Sequence, residues 1–168
     1  MNNRNLVTGL LAFVLIAVSS TFIVDEREVV IKFRLGEIVS SYDTPGLYFM
    51  IPFLNNVKKY DSRLLTMDSK PEQFLTSEKK NVIVDSFVKW RISDPRNFYR
   101  SSKGDERIGV NRLSQIVNDL TKSEFSKRTV NDVVSGDRVE LMTKVTKEAN
   151  QLSQTLGITV VDVRLKRV

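Results

Sequence analysis

Residues 6–24, LVTGLLAFVLIAVSSTFIV, constrain the fold of this chain more than any other segment, because they run for 19 residues without a charge. As a helix rising about 1.5 Å per residue, such a segment spans roughly 28 Å, close to the hydrocarbon thickness of a bilayer. Arg4 precedes the segment, and Asp25, Glu26 and Glu28 follow it closely. The positive-inside rule therefore predicts a cytoplasmic amino terminus, residues 1–5, and export of everything after residue 24.

The predicted membrane-spanning helix presents a set of large apolar side chains to lipid. They are Leu6, Leu10, Leu11, Phe13, Val14, Leu15, Ile16, Val18, Phe22, Ile23 and Val24. A cleaved signal peptide is the alternative, since Ala17 to Ser19 would serve as a small-residue cleavage site. The single basic residue before the segment and the apolar residues beyond that site favour the uncleaved anchor.

A second apolar run, PGLYFMIPF at residues 45–53, is too short to cross a bilayer as a helix and lies between two prolines. Periodicity alone leaves two interpretations open for such a run, a buried strand or a contact with lipid. Prolines disfavour a central strand, aromatic side chains suit the membrane interface, and Lys58 and Lys59 nearby would meet headgroups. The candidate membrane-surface residues are Leu47, Tyr48, Phe49, Met50, Ile51, Pro52 and Phe53.

The remaining pattern predicts an α+β fold in which strands come first and helices follow. Alternation predicts strands over residues 28–35, with Leu35 on the buried face, and over 57–67, 81–92 and 158–168. A period of 3.6 predicts helices over 106–127 and from about 135–137 to Gly157, the latter with an apolar stripe that includes Leu152. Asp94 and Pro95 predict a short helix over 95–100. We place a β-rich first subdomain at 25–95 and a helix-containing second one at 96–168.

Composition argues against most enzyme chemistry. The chain has no histidine and no cysteine, which excludes His-based triads, His metal ligands and thiolate chemistry. Nucleotide-binding and nucleophile-elbow motifs are missing, and no carboxylate cluster has calcium-loop spacing. We expect no catalytic residue, no metal and no cofactor. Ser69-Lys70 and Ser126-Lys127 are adjacent pairs whose side chains would point apart.

The charge of the chain, +6 from 26 basic and 20 acidic residues, is spread among mixed charges. Nucleic-acid binding would require clustered basic residues with interleaved aromatics. We therefore expect no nucleic-acid partner. The single tryptophan, Trp90, lies on the apolar face of the 81–92 strand and is expected in the core.

Several blocks, taken in order, resemble one family. They are VDEREVVIKFRLGEIV, the PG…IPF segment, VDSFVKWRISDP within 76–99, and GITVVDVRLKRV at the carboxy terminus. The sequence resembles the SPFH (band 7) superfamily of stomatins, prohibitins and flotillins along essentially its whole length, and within it the bacterial HflC type most. A family resemblance of this kind implies a membrane scaffold and not an enzyme.

The resemblance also implies partners and a location. HflC-type proteins lie in the bacterial inner membrane with a periplasmic SPFH domain, alternate with an HflK-like SPFH protein in a hetero-oligomeric ring or cage, and regulate the membrane AAA+ protease FtsH. In the family, the counterpart of residues 47–53 lies at the outer leaflet of the lipid bilayer. Members continue into a long coiled coil that completes the cage, whereas this sequence ends at Val168, so the ring is expected only where that coiled coil is present.

Two other functions remain open from the sequence. One is a membrane-anchored protease of the Ser–Lys type, and the other is a secreted soluble binding domain released by signal cleavage.

Overall fold

A computed structural model of the protein describes residues 19–132 and 138–167 of the 168-residue chain. Its contacts divide into two compact units, one up to Ser62 and the other from Arg63 onward. The first unit contains five strands: β1 (Thr21–Val24), β2 (Glu28–Arg34), β3 (Glu37–Tyr42), β4 (Gly46–Phe49) and β5 (Asn55–Asp61).

In its described residues, the second unit contains four strands and three α-helices. In chain order they are β6 (Leu65–Asp68), β7 (Glu72–Leu75), β8 (Asn81–Ile92), α1 (Pro95–Ser102), α2 (Glu106–Phe125), α3 (Arg138–Ser153), a 3₁₀ turn at Gln154–Leu156, and β9 (Ile158–Arg167). The α+β class predicted from the sequence is confirmed, with strands preceding helices.

In the first unit, β2 is the centre of an antiparallel sheet with β3 on one edge and β5 on the other. A separate antiparallel ribbon is formed by β1 and β4. Phe22 and Val24 of the ribbon form a buried cluster with Val30 of β2, and Tyr42, Tyr48, Met50 and Val57 pack against it. Because the ribbon covers Val30, β2 is buried on both faces, and its predicted alternation holds only in part.

In the second unit, β8 is the central strand and pairs with β9, β6 and β7. Its bounds match the prediction, and its apolar face, with Val88 and Trp90, is buried. Helices α2 and α3 supply Leu113, Val117 and Val145 to the core, each with no exposed surface.

Local signals in the sequence set the ends of the helices. The Asp94 carboxylate accepts hydrogen bonds from the Arg96 and Asn97 backbone N–H groups at 2.9 and 3.2 Å, which caps α1. Gly157 has a φ of +76°, the left-handed backbone that ends the 3₁₀ turn and allows β9 to begin. The predicted start of α3 at 135–137 lies outside the described residues. Its predicted stripe is right for Leu141 and Val145, but Leu152 is exposed and Ser153 is buried in its place.

The carboxy-terminal part of the predicted membrane helix is corrected by the structure. Phe22, Ile23 and Val24 lie in strand β1, where Phe22 and Val24 are buried against protein and Ile23 points outward. An apolar run does not distinguish a helix that enters lipid from a strand that enters a core, and the β-branched residues here favour the strand.

The other predicted span residues lie outside the described residues. They are Leu6, Leu10, Leu11, Phe13, Val14, Leu15, Ile16 and Val18. Within 19–132 and 138–167, no helix is both long enough and apolar enough to traverse a bilayer.

The subdomain boundary and one strand also differ from prediction. The expected strand over 57–67 is two strands, β5 and β6, which belong to different units. The division of contacts therefore falls at 62/63 and not at 95/96, because β6, β7 and β9 each pair with β8. Sequence periodicity reports the existence of a strand and carries no information on which later strand it joins.

Candidate membrane-contact surface

The first unit exposes several large apolar side chains. We call this set the apolar surface; its members are Ile23, Leu35, Leu47, Phe49, Ile51, Phe53 and Leu54. Phe53 is fully exposed at 102%, Leu35 at 82% and Phe49 at 70%. Single exposed apolar residues are ordinary on proteins, whereas groups of them are typical of surfaces that bind a partner or a membrane.

The ribbon of β1 and β4 sorts its side chains by the period of two. Ile23 is paired with Leu47, and both point outward, whereas the neighbouring pair Phe22 and Tyr48 points into the cluster around Val30. The ribbon thus has an inner side that packs against the core of the first unit and an outer side whose apolar side chains are exposed.

Two loops extend the apolar surface beyond the ribbon. Leu35 lies in the β2–β3 turn with a φ of +50°, and Phe53 lies between β4 and β5 with a φ of +70°. The Leu35 N–H donates to the Leu54 carbonyl oxygen at 3.3 Å, so both loops lie at the same end of the unit. Bulky residues rarely adopt left-handed backbone, and such strain is typical of functional contacts and turns.

The chain enters this end of the unit directly from the amino-terminal side. The Met50 N–H donates to the Ser20 carbonyl oxygen at 2.7 Å, which ties the start of β1 to the loop after β4. Ser20, near the start of the described residues, therefore lies beside the loop that contains Phe53.

The seven residues predicted to touch the membrane surface do not all face the same way. Leu47, Phe49, Ile51 and Phe53 are exposed, Pro52 is half-buried, and Tyr48 and Met50 pack against the Val30 cluster. The buried-strand interpretation of the 45–53 segment is therefore partly realised, because Tyr48 and Met50 pack against the core while alternate residues are exposed. Lipid contact by the exposed residues stays a prediction.

Sequence reasoning missed Leu35 and Leu54 as members of this surface and misjudged Ile23. Leu35 fits the alternation of β2 and so was expected to be buried. The signal that identifies it is Gly36, because a glycine with φ of +89° directly after it places Leu35 in the turn. Nothing in the local sequence indicates that the β2–β3 turn and the Phe53 loop lie together.

Two lysines bind the backbone of the ribbon. Lys32 Nζ donates to the Phe49 carbonyl oxygen at 3.0 Å. Lys59 Nζ donates to the Ile23 carbonyl oxygen at 3.0 Å and to Glu28 Oε2 at 2.7 Å. These contacts differ from the headgroup role that we expected for Lys59.

The inner side of the ribbon is held by aromatic and hydroxyl contacts. The Tyr42 and Tyr48 rings are 4.3 Å apart between centroids, and Phe22 stacks on Tyr48 at 5.7 Å. The Tyr48 hydroxyl lies 2.7 Å from Thr44 Oγ1. These contacts fix the orientation of β4, and with it the outward direction of Leu47 and Phe49.

Neither Ser69-Lys70 nor Ser126-Lys127 has the geometry of a catalytic dyad. Ser126 Oγ donates to the Ser123 carbonyl oxygen at 2.8 Å while Lys127 Nζ contacts Glu124, so the pair does not form a dyad. Ser69 is buried and Lys70 is exposed. Among the described residues, no three His, Cys, Asp or Glu side chains are grouped as metal ligands.

Glu124 is a buried carboxylate whose side chain is 4% exposed. Its Oε1 accepts hydrogen bonds from Lys127 Nζ at 2.9 Å and Lys144 Nζ at 3.0 Å. These hydrogen bonds lower the pKa of Glu124 below its usual value. A carboxylate held ionised between two ammonium groups is a poor general base, and here it joins α2 to α3.

A groove of about 810 Å³ runs between α3 and β9. On the β9 side, the Val163 N–H donates to Thr146 Oγ1 and the Val160 N–H donates to Asn150 Oδ1, each at 3.1 Å. Arg138 Nη2 donates to the Leu165 carbonyl oxygen. Helix side chains therefore satisfy this edge of β9, which protects it from pairing with another chain.

Comparison with known proteins agrees with this architecture. The model of the SPFH domain / Band 7 family matches residues 22–168. Protein HflC of Haemophilus influenzae is 40% identical over 93% of this chain, and a protein HflC of Buchnera aphidicola is 37% identical over 99%.

A third relative, from Escherichia coli K12 and called modulator of FtsH protease HflC, is 36% identical over 88% of this chain. The chain spans 57%, 61% and 46% of the lengths of these three relatives, in the order given. The family match runs from Phe22 to the end of the sequence and so covers every described strand except the first residue of β1. The chain therefore belongs to the SPFH domain / Band 7 family.

Proposed function

We propose that this chain is a non-enzymatic, membrane-attached scaffold of the HflC type that regulates an FtsH-like AAA+ membrane protease. The observation that carries the proposal is the identity of 36% across both units to a relative named as a modulator of that protease. Its partners would be an HflK-like SPFH protein and the protease itself, arranged as a hetero-oligomeric ring or cage. Its place would be the bacterial inner membrane, with residues 1–5 cytoplasmic and the SPFH domain periplasmic.

The proposal includes a direct contact between the apolar surface and the outer leaflet. Four predicted residues, Leu47, Phe49, Ile51 and Phe53, are exposed, and Ser20 is bonded to the loop between them. Shallow insertion of these side chains suits the geometry, because loop backbone cannot lie deep in hydrocarbon without partners.

Partner binding is tested by affinity purification of the tagged full chain from bacterial membranes in mild detergent, followed by mass spectrometry. We expect a second SPFH protein and an AAA+ protease to be enriched over a single-pass membrane protein carrying the same tag. Equal recovery of both with that control would contradict the scaffold proposal.

Membrane contact is tested separately, and the absence of native cysteine makes the test clean. A polarity-sensitive dye is attached to Phe53→Cys in the full chain reconstituted in vesicles, and its quenching by brominated lipid is measured. Leu75→Cys, at a half-exposed apolar position of β7 in the second unit, is the matched control. We expect quenching at position 53 alone; no quenching there would exclude the lipid contact.

A further inference from the structure

The ribbon that carries the apolar surface has carbonyl groups that water would normally satisfy. Ile23 and Phe49 point their side chains outward, and their own carbonyl oxygens accept hydrogen bonds from lysine side chains. A backbone carbonyl that loses water at a lipid interface without another partner costs several kcal/mol. The two lysines thus satisfy two carbonyl groups that would otherwise oppose insertion of this ribbon.

We propose that Lys32 and Lys59 are positioning residues for membrane contact: they donate hydrogen bonds to the Phe49 and Ile23 carbonyls and so allow the apolar surface to insert. Their contribution to insertion is then independent of the charge of the lipid headgroups. The proposal rests on the lipid contact described above and deepens it. It assigns these ammonium groups to the protein backbone and not to lipid phosphate.

Charge at the two sites supports this assignment. Glu28 Oε2 lies 2.7 Å from Lys59 Nζ, so the Lys59 charge is already matched within the protein. Lys32 reaches from β2 across to β4, a sequence separation of 17 residues, and its contact is a backbone oxygen. An ammonium that donates to a carbonyl forms a stronger hydrogen bond than a neutral donor would.

The distance of each lysine from the exposed turn predicts which of the two contributes more to insertion. At about 3.3 Å per residue, Lys32 lies roughly 10 Å along β2 from Leu35 at the exposed turn. Lys59 is opposite Val30, two residues farther from that turn than Lys32. Lys32 therefore serves the carbonyl nearer the inserted loops, and its loss has the larger effect.

Arg34 provides a matched control at the same end of the unit. It is exposed, next to Leu35, and its Nε donates to the Asn55 side-chain oxygen at 3.5 Å, with no ribbon carbonyl as partner in the contacts described. If cations here act through lipid headgroups, Arg34 is better placed for it than Lys59.

The test uses the full chain with dye at Phe53→Cys, and a second probe at Leu35→Cys, in vesicles of phosphatidylcholine alone or mixed with phosphatidylglycerol. Lys32→Met keeps the length of the side chain and removes the donor. We expect it to lower the ratio of lipid-inserted to water-exposed probe about tenfold in both vesicle types, a change of about 1.4 kcal/mol. Lys59→Met lowers it less, and Lys32→Arg restores it.

The outcomes separate the possible roles. Arg34→Gln should reduce insertion only in the vesicles with phosphatidylglycerol. If Lys32→Met does the same, Lys32 is a headgroup ligand and the proposal is wrong; if Lys32→Met changes nothing, its hydrogen bond is irrelevant to insertion. Hydrogen exchange of β1 and β4, measured without lipid, checks that the ribbon is folded in each variant. If the ribbon is unfolded in both Lys32→Met and Lys32→Gln, the lysine acts on stability and the proposal is also wrong. A wild-type probe that shows no quenching rejects the lipid contact itself.

Discussion

At the scale of single residues, the tightest constraints in this fold are close approaches and buried charges. A Cβ on Gly157 would lie 2.2 Å from the Asp94 carbonyl oxygen and 2.5 Å from the Phe98 nitrogen. Both contacts are with backbone, so neither is relieved by a side-chain rotation. This glycine is required by space as well as by its positive φ.

Gly157→Ala is therefore expected to destabilise the second unit by more than about 2 kcal/mol in urea unfolding. Gly36→Ala is the control, because its φ is also positive but nothing lies within 4 Å of the added Cβ. Gly36→Ala should lower the free energy of unfolding only by the cost of placing an alanine in left-handed backbone, about 1 kcal/mol. Equal losses for the two variants would show that the close approach at Gly157 is not limiting.

Glu124 gives a pH-dependent prediction. Its hydrogen bonds from Lys127 and Lys144 lower its pKa in the folded state, so its stabilising contribution is present above the ordinary pKa of 4.5 and is lost as pH falls through the lowered value. Glu124→Gln should cost about 1–2 kcal/mol at pH 7, because the remaining lysines are half-exposed and rehydrate. Urea unfolding at pH 7 and in the acid range measures the difference between the two proteins, which should shrink toward acid; a constant difference would contradict it.

At the scale of elements, the edge of β9 has its backbone N–H groups satisfied by helix side chains instead of by another strand. Thr146 and Asn150, one helical turn apart on α3, accept from the Val163 and Val160 N–H groups. The sequence predicts α3 and β9 separately from their periods of 3.6 and two. It gives no sign that polar residues of the helix replace a strand ladder, because that depends on where the helix lies beside the sheet.

Thr146→Val keeps the shape of the side chain and removes the acceptor of the Val163 N–H. We expect a loss of about 1–2 kcal/mol and faster hydrogen exchange at Val163. Thr143→Val is the control, since Thr143 Oγ1 donates to the Val139 carbonyl oxygen within its own helix and is exposed. Equal effects of the two variants would mean that the β9 edge gains nothing from Thr146.

At the scale of the whole molecule, the division at Ser62 and Arg63 separates two cores. The Val30 cluster belongs to the first unit, and Trp90, Val88 and Val145 belong to the second. Each unit has its own central strand, β2 in one and β8 in the other.

Val30→Ala should therefore loosen the first unit selectively, by about 2 kcal/mol, because Val30 is fully buried. Hydrogen exchange followed by mass spectrometry should show faster exchange in peptides covering 28–61 and unchanged exchange in peptides covering 81–92. Val88→Ala, at an equally buried position of β8, should give the reverse pattern. Equal acceleration in both units after either substitution would contradict two separate cores.

The sequence by itself determined the α+β class, strand β8 with its bounds, the helix start at Asp94 and the stop at Gly157, because alternation, capping and positive φ act over a few neighbouring residues. It also identified Leu47, Phe49, Ile51 and Phe53 as unusual. Only the tertiary structure decided that residues 22–24 form a strand, that Leu35 joins Phe53, and that Lys32 and Lys59 hold the ribbon. The physical reason is that these depend on contacts between residues 17 to 36 positions apart, which no local period encodes.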